Sequence, residues 1–276
     1  MNMHDCPTLG LHLSMPPDTY HAVQAMSATG LKRMRQSPAH FYGMQLDPER
    51  PPNSTTPAMR AGTLAHTVLL EPQTVSDRYV MQPTGHDGRT KEGKAWAAAV
   101  PTGIETVSAT DMQIAQRQAI AVRALPEVGV LLASGVAESS AFWIDDTTVE
   151  LCKCRPDWVH TVGEGVILVD LKTCQDASPE GFPRSIAKLG YHLQAAWYSA
   201  GYEFATGKRV LGFVFACVEA AWPHAAAAYM LDDESLDKAR FENRRLLDLY
   251  AACKASGHWP GYQSSIQPLS LPAWAV

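Results

Sequence analysis

The chain lacks a positive excess. Its 23 Lys and Arg stand against 28 Asp and Glu over 276 residues, a formal net charge of −5 with a pI near 6.0. No global basic signature therefore points to nucleic acid, and any surface for it has to be a local groove or channel that depends on metal ions as well as Lys and Arg. Paired cysteines are also missing. Cys6, Cys152, Cys154, Cys174, Cys217 and Cys253 fall in no paired spacing, and no basic segment followed by an apolar run opens the N-terminus, which together predict a reduced, cytoplasmic protein. The apolar stretches are too short or too interrupted by charge to span a bilayer, so no membrane association is expected. What is present is a 46% hydrophobic content, enough for one large core or for one core with a helical annex. The expected organisation is a flexible tail over residues 1–19 and a single domain over 20–276.

The most informative stretch runs from Arg155 to Lys172. Residues 149–155 alternate apolar and polar, while Val166-Ile167-Leu168-Val169 form a continuous run that reads as a strand buried on both faces. Gly163 and Gly165 supply a turn in the interval between them. Alternation puts Asp170 and Lys172 on one face with Leu171 opposite, where the buried run ends. If the two strands pair as a hairpin, Asp157 lies near that end only where the pairing bends or the chain crosses over. Two carboxylates near one Lys suit phosphodiester hydrolysis: hard oxygen ligands hold Mg²⁺ or Mn²⁺, and the ammonium orients water or steadies the pentavalent phosphate. Taken singly, Pro156-Asp157 also fits an ordinary turn, and Asp170-x-Lys172 a solvated pair.

The flanking segments extend this reading. Ser27 is an N-cap candidate for a stretch that spaces Leu31, Met34 and Phe41 for a packed face, read as a short helix, a Ser37-Pro38 break and a second turn of helix. Residues 47–57 read as a polar, Pro-rich loop, and Ala58 to Leu70 as a helix packing Met59, Gly62, His66 and Leu69 or Leu70. For His66 two readings stay open, a buried imidazole satisfied by a carbonyl and a ligand to a metal. Residues 84–94 form a Gly-punctuated loop in which Arg89, Lys91 and Lys94 either track a phosphate backbone or are simply solvated. An amphipathic helix follows over 111–125 and a short one over 127–133. Residues 137–144 read as the first strand, with Glu138 at its entrance, where a third carboxylate could meet a metal. A long helix over 185–205 presents Tyr191, Gln194 and Tyr198 as a polar stripe facing solvent or a site, ahead of strands at 209–218 and 225–231 and a closing helix over 233–256. The order predicts an α/β fold with a mixed sheet rather than a repeat or a doubly wound fold. Cys152 and Cys154 with His160 could suggest zinc, but both thiols fall on one face of a buried strand, where Cys acts as a small hydrophobe, so no zinc is expected.

The whole set resembles the PD-(D/E)XK nuclease superfamily, whose signature matches Pro156-Asp157 followed by Asp170-Leu171-Lys172. Gly62-Thr63-Leu64-Ala65-His66 looks like the His motif of the RecB-like group, and Tyr191-His192-Leu193-Gln194-Ala195-Ala196-Trp197-Tyr198 like its Gln and Tyr motif. Ser27-Ala28-Thr29-Gly30-Leu31 and Ser37-Pro38-Ala39-His40-Phe41 are similar to its N-terminal helix motif. Where some members carry an iron–sulfur Cys, this chain has Ser37, so no cluster is expected. The nearest likeness is to the nuclease domain of the RecE-type exonucleases (exodeoxyribonuclease VIII). It runs from about Tyr20 to the end through Ala137-Glu138-Ser139-Ser140, Cys154-Arg155-Pro156-Asp157 and Leu269-Ser270-Leu271-Pro272-Ala273-Trp274-Ala275. The resemblance implies a PD-(D/E)XK (restriction-endonuclease-like) core with N-terminal helical additions. It also implies Mg²⁺-dependent digestion of linear double-stranded DNA from 5′ ends, a ring-shaped homotetramer, and work beside a single-strand annealing protein in prophage-type DNA recombination. By the same resemblance Asp157, Asp170, His66 and the Leu171 backbone carbonyl would be metal ligands, and Glu138 a ligand directly or through water. Lys172 would position the attacking water, and Gln194 and Tyr198, with Tyr191 nearby, would hold the DNA strand. A DNA endonuclease on the same fold and a catalytically silent DNA-binding clamp are the alternatives.

Overall fold

The computed structural model describes residues 7–52 and 54–271. In chain order it contains β1 (Gly10–His12), α1 (Pro17–Ala22), α2 (Ala28–Gln36), α3 (Pro38–Phe41), α4 (Pro57–Leu70), α5 (Val75–Arg78), β2 (Tyr79–Met81), α6 (Lys91–Ala99), β3 (Glu105–Val107), α7 (Ala109–Arg123) and α8 (Pro126–Ala133). The second half contributes β4 (Val136–Ala137), β5 (Ser140–Ile144), β6 (Leu151–Cys154), β7 (Trp158–Val162) and β8 (Gly165–Cys174). It ends with α9 (Phe182–Leu189), α10 (Tyr191–Thr206), β9 (Val210–Glu219), β10 (Ala226–Met230) and α11 (Asp233–Ser256). No helix among the described residues is long and apolar enough to cross a membrane.

The central sheet has the order β10-β9-β8-β7-β4, with β8 and β9 parallel and the other pairs antiparallel, so the expected mixed α/β architecture is present. β8 reads as a continuous apolar run because both its faces are covered. Val169 and Leu171 pack with residues of α4, α7 and α8 on one side. Leu168 packs on the other with Phe182, Ile186 and Ala195 of α9 and α10. A second sheet, β1-β5-β6, carries its own core against α2, α10 and α11, built on Leu31, Met34, Trp143, Leu193 and Leu246. Cys152 and Cys154 lie fully buried in that apolar cluster.

Several expectations change once the pairing is known. Residues 149–155 do not form a hairpin with 166–169: β6 pairs with β5, and the hairpin partner of β8 is β7, in the interval expected to be only a turn. Gly163, at φ 55°, makes the tight connection between β7 and β8. Pro156 marks the crossing from one sheet to the other, where a residue without an N–H costs no ladder bond. The single strand expected over 137–144 is two, β4 in the central sheet and β5 in the small one, divided at Glu138 with φ 52°. The long helix expected over 185–205 is likewise two, α9 and α10, separated by Gly190 at φ 66°. From Gly10 the expected loose tail is backbone paired to Phe142, Ala141 and Ser140, followed by α1. Short strands beside a strong core carry too little apolar surface to announce themselves in sequence. Met59, expected on the packed face of α4, is 58% exposed. β2 and β3 form a small parallel pair that no local pattern indicated.

Candidate active site

The site forms where β7 ends and β8 continues. Ala137 pairs with Trp158, and Trp158 with Val169, so the next rung of the sheet aligns Glu138, Asp157 and Asp170 across three strands. The Glu138 N–H donates to the Asp157 carbonyl at 3.0 Å, which carries the β4–β7 pairing one step further. Beyond Trp158 the edge of β8 has no strand beside it, and side chains take up its backbone groups. The Leu171 N–H donates to Asp157 Oδ2 at 2.8 Å, and His66 Nε2 lies 3.0 Å from the Leu171 carbonyl. Because a carbonyl can only accept, His66 Nε2 carries the proton, and its Nδ1 turns a lone pair toward Asp157 Oδ2 at 3.4 Å. The carbonyl reading of His66 is met by Nε2, and Nδ1 is left facing Asp157. The Leu171 carbonyl, expected to face a metal, accepts from His66.

His66, Glu138 and Asp157 each bring one donor atom within 4.8 Å of the others. Burial lowers the His66 pKa, aided by the Lys172 charge, which favours the neutral imidazole that ligates metals. Burial followed by the Asp157 charge pushes Glu138 up to about 7, and burial followed by the Asp170 charge raises Asp157. An imidazole lone pair and two carboxylates facing one another, with Arg155 paired to one oxygen of Glu138 and no Lys or Arg ion-paired to Asp157 among the described residues, fit a divalent cation. The hard oxygen donors with one nitrogen suit Mg²⁺ or Mn²⁺. A His that anchors its second nitrogen to a carbonyl is also the usual support for a metal ligand.

Asp170 is neutralised differently. It is 1% exposed, forms an ion pair with Lys172 and accepts from Gln194 Nε2 at 2.6 Å. Burial alone would lower the Lys172 pKa, but Asp170 and then Asp157 raise it overall, so the ammonium stays charged. Lys172 Nζ also lies 4.7 Å from the Tyr191 ring centroid. The polar stripe of α10 therefore faces the site. Gln194 binds Asp170, Tyr191 walls Lys172, and burial, then Tyr20 and Asp170, raise the Tyr198 phenol well above its usual value.

Two residues that touch the site were given no role in the sequence reading, although Arg155 lies inside the Cys154-Arg155-Pro156-Asp157 motif. Arg155 donates from Nε to Glu138 Oε2 at 2.7 Å and from Nη1 to Ser140 Oγ and the Met15 carbonyl, which fixes the orientation of Glu138. Lys32, on α2, donates to Gln194 Oε1 at 3.1 Å. In its segment Lys32 reads as one of several basic residues on a solvated helix face; only the approach of α2 to α10 shows otherwise. Arg89, Lys91 and Lys94 are not brought to the site. Arg89 is bound to Asp87 at 3.1 Å, Lys91 and Lys94 stand exposed on α6, and no hydrogen bond or ion pair among the described residues joins them to it. Ser37 serves as the N-cap of α3, accepting from the His40 N–H. Of the C-terminal motif, Leu269 and Leu271 are exposed, and residues 272–275 lie outside the described residues.

A mixed sheet flanked by helices, with three acids on one rung and a Lys two residues beyond the last, defines a PD-(D/E)XK-type domain. The chain belongs to the family described as PDDEXK-like domain of unknown function (DUF3799), whose model matches residues 27–270. No curated protein matches its sequence. Among solved structures it resembles a protein from Eubacterium rectale, provisionally described as an exonuclease, with a TM-score of 0.59 at 14% identity over 94% of this chain and 97% of that one. At that identity the likeness concerns the fold. SSO0001 aligns over 50% of this chain and 65% of its own at 18% identity, with a TM-score of 0.29, too low to carry an argument.

Proposed function

We propose that this protein is a divalent-metal-dependent exodeoxyribonuclease that digests linear double-stranded DNA, 5′ to 3′, in the manner of the RecE-type enzymes of phage recombination. The observation that carries the reading is the meeting of His66, Glu138 and Asp157 beside the Asp170–Lys172 pair. These residues, with Asp170 as a further carboxylate, would hold the ion. Once bound, it lowers the pKa of a water and offsets the charge that grows on the phosphate. Lys172, steadied by Asp170 and the Tyr191 ring, supplies an N–H to orient that water or the pentavalent phosphate. Gln194 keeps Asp170 aimed, Arg155 occupies one oxygen of Glu138 and leaves the other free, and Tyr198 offers a protonated phenol to the strand.

The test is digestion of end-labelled linear duplex with and without Mg²⁺ or Mn²⁺, with closed circular DNA as control. Release of nucleotides from the 5′-terminated strand, with circles left intact, is the expected result. Nicked circles would move the reading to an endonuclease, and binding without cleavage under any divalent cation would move it to a silent clamp. The RecE-type reading includes a ring-shaped homotetramer and a single-strand annealing partner. A ring would allow local basic residues to line a channel inside an acidic exterior. A monomer in sedimentation equilibrium would remove that part of the proposal.

A further inference from the structure

Beside Lys172 the site holds a second ammonium to which no step above assigns a task. Lys32 reaches it from α2, and its stem runs across the turn between α9 and α10. A Cβ at Gly190 would stand 3.2 Å from Lys32 Cγ and 3.6 Å from Cδ and Cε, so a larger residue there would press on the stem. The head of Lys32 lies 5.0 Å from the Tyr191 ring centroid, the same ring that Lys172 approaches at 4.7 Å. Gln194 stands between Lys32 and Asp170 with its orientation settled: the amide nitrogen donates to Asp170, and the amide oxygen accepts from Lys32. Asp170 thus takes its direct contacts from Lys172 and Gln194 rather than from Lys32. Among the described residues Lys32 makes no ion pair, and its hydrogen-bond partner is a neutral amide.

A mostly buried ammonium without a counter-ion is costly, and one amide and one ring face offset only part of that cost. Two of its three donors remain for something that enters the site, and the matching group is an anionic oxygen. From this geometry we propose that Lys32 is a phosphate-contacting residue, donating to a non-bridging oxygen of a nucleic-acid phosphodiester while Lys172 serves the reacting one. The inference rests on the nuclease reading and adds to it a second cation, supplied by the N-terminal helical region rather than by the sheet.

The experiment compares Lys32→Gln, Lys32→Met and Lys32→Arg with the wild type on a fluorescently labelled linear duplex. Binding is followed by anisotropy in Ca²⁺ over a NaCl series, and turnover in Mg²⁺ or Mn²⁺. Loss of the charge should weaken binding about tenfold and flatten the slope of log K against log salt by about 0.9, the loss of one phosphate contact. Lys32→Arg should keep the slope. Lys32→Gln can still hydrogen-bond to Gln194, so a wild-type slope in Lys32→Gln would make Lys32 a brace for that amide and overturn the inference, whatever happens to turnover. Circular dichroism checks each fold, and if Lys32→Met does not fold, the Gln and Arg variants carry the same comparison. A wild type that cleaves while Lys32→Gln keeps its slope sinks this inference alone. A wild type that cleaves no DNA under any divalent cation sinks the nuclease reading beneath it.

Discussion

Asp170 and Asp157 occupy one rung of the central sheet, yet the protein neutralises only the first. Asp170 has an ammonium and an amide of its own, supplied by Lys172 and Gln194. Asp157 has a backbone N–H from Leu171 and an imidazole lone pair from His66, with Glu138 as its neighbour. Removing one partner of a buried ion pair leaves an uncompensated charge, whereas removing charge from a crowded carboxylate relieves repulsion. The first half of the site carries its own charge partner, and the second gathers His66, Glu138 and Asp157 within reach of one another. The fold supports this division because the Asp157 half sits on an unpaired strand edge, where side chains rather than a neighbouring strand meet the backbone.

The largest expected effects separate the two halves. Asp170→Asn and Asp157→Asn should each lower hydrolysis of linear duplex by more than about 100-fold. They should differ in stability when the protein is chelated. Asp170→Asn leaves Lys172 buried without its partner and should cost about 3 kcal/mol in urea denaturation, while Asp157→Asn should leave stability unchanged or raise it. Equal losses from the two would erase the contrast. Next in size, His66→Ala should weaken divalent-metal binding about 10- to 100-fold, read by calorimetric titration, with activity recovered at raised Mn²⁺. A variant that unfolds irrespective of metal would reduce His66 to its bond with the Leu171 carbonyl.

The pH dependence is smaller and has a definite sign. Burial, then Asp157, raises the Glu138 pKa from 4.5 to about 7, so its contribution to stability without metal is present below about 4.5 and fades as pH rises through about 7. In EDTA the melting temperature should therefore fall from pH 5 to pH 8 more steeply in the wild type than in Glu138→Gln, and Mn²⁺ should restore it at pH 8. The smallest effect belongs to the basic loop. Arg89→Ala should change duplex affinity by less than about threefold at 0.15 M salt, because its guanidinium is exposed and already paired with Asp87.

Much of this was legible before any coordinates. Ser27 caps α2 as its position suggested, the Ser37-Pro38 break divides α2 from α3, and the helices α4, α7, α8 and α11 were expected close to where they lie, because helical periodicity and caps are local properties. Asp170 and Lys172 share a face through strand alternation alone. Pairing was not legible. The alignment of Glu138, Asp157 and Asp170 on one rung depends on β4, a strand of two residues, and on β7 displacing β6 as the hairpin partner of β8. Lys32 carried no signal and Arg155 only its place in a motif, since a charged residue in a mixed segment reads as solvated until another element covers it.

The residues themselves determined which chemistry was available: two acids and a Lys with fixed spacing, a His on a helix and a Gln–Tyr stripe, all set by side-chain type and local periodicity. Tertiary structure decided which of them face one another and which charge lacks a partner. Those relations join positions up to 162 residues apart, as between Lys32 and Gln194. Local propensity carries no information over such separations, and only packing and strand register supply it.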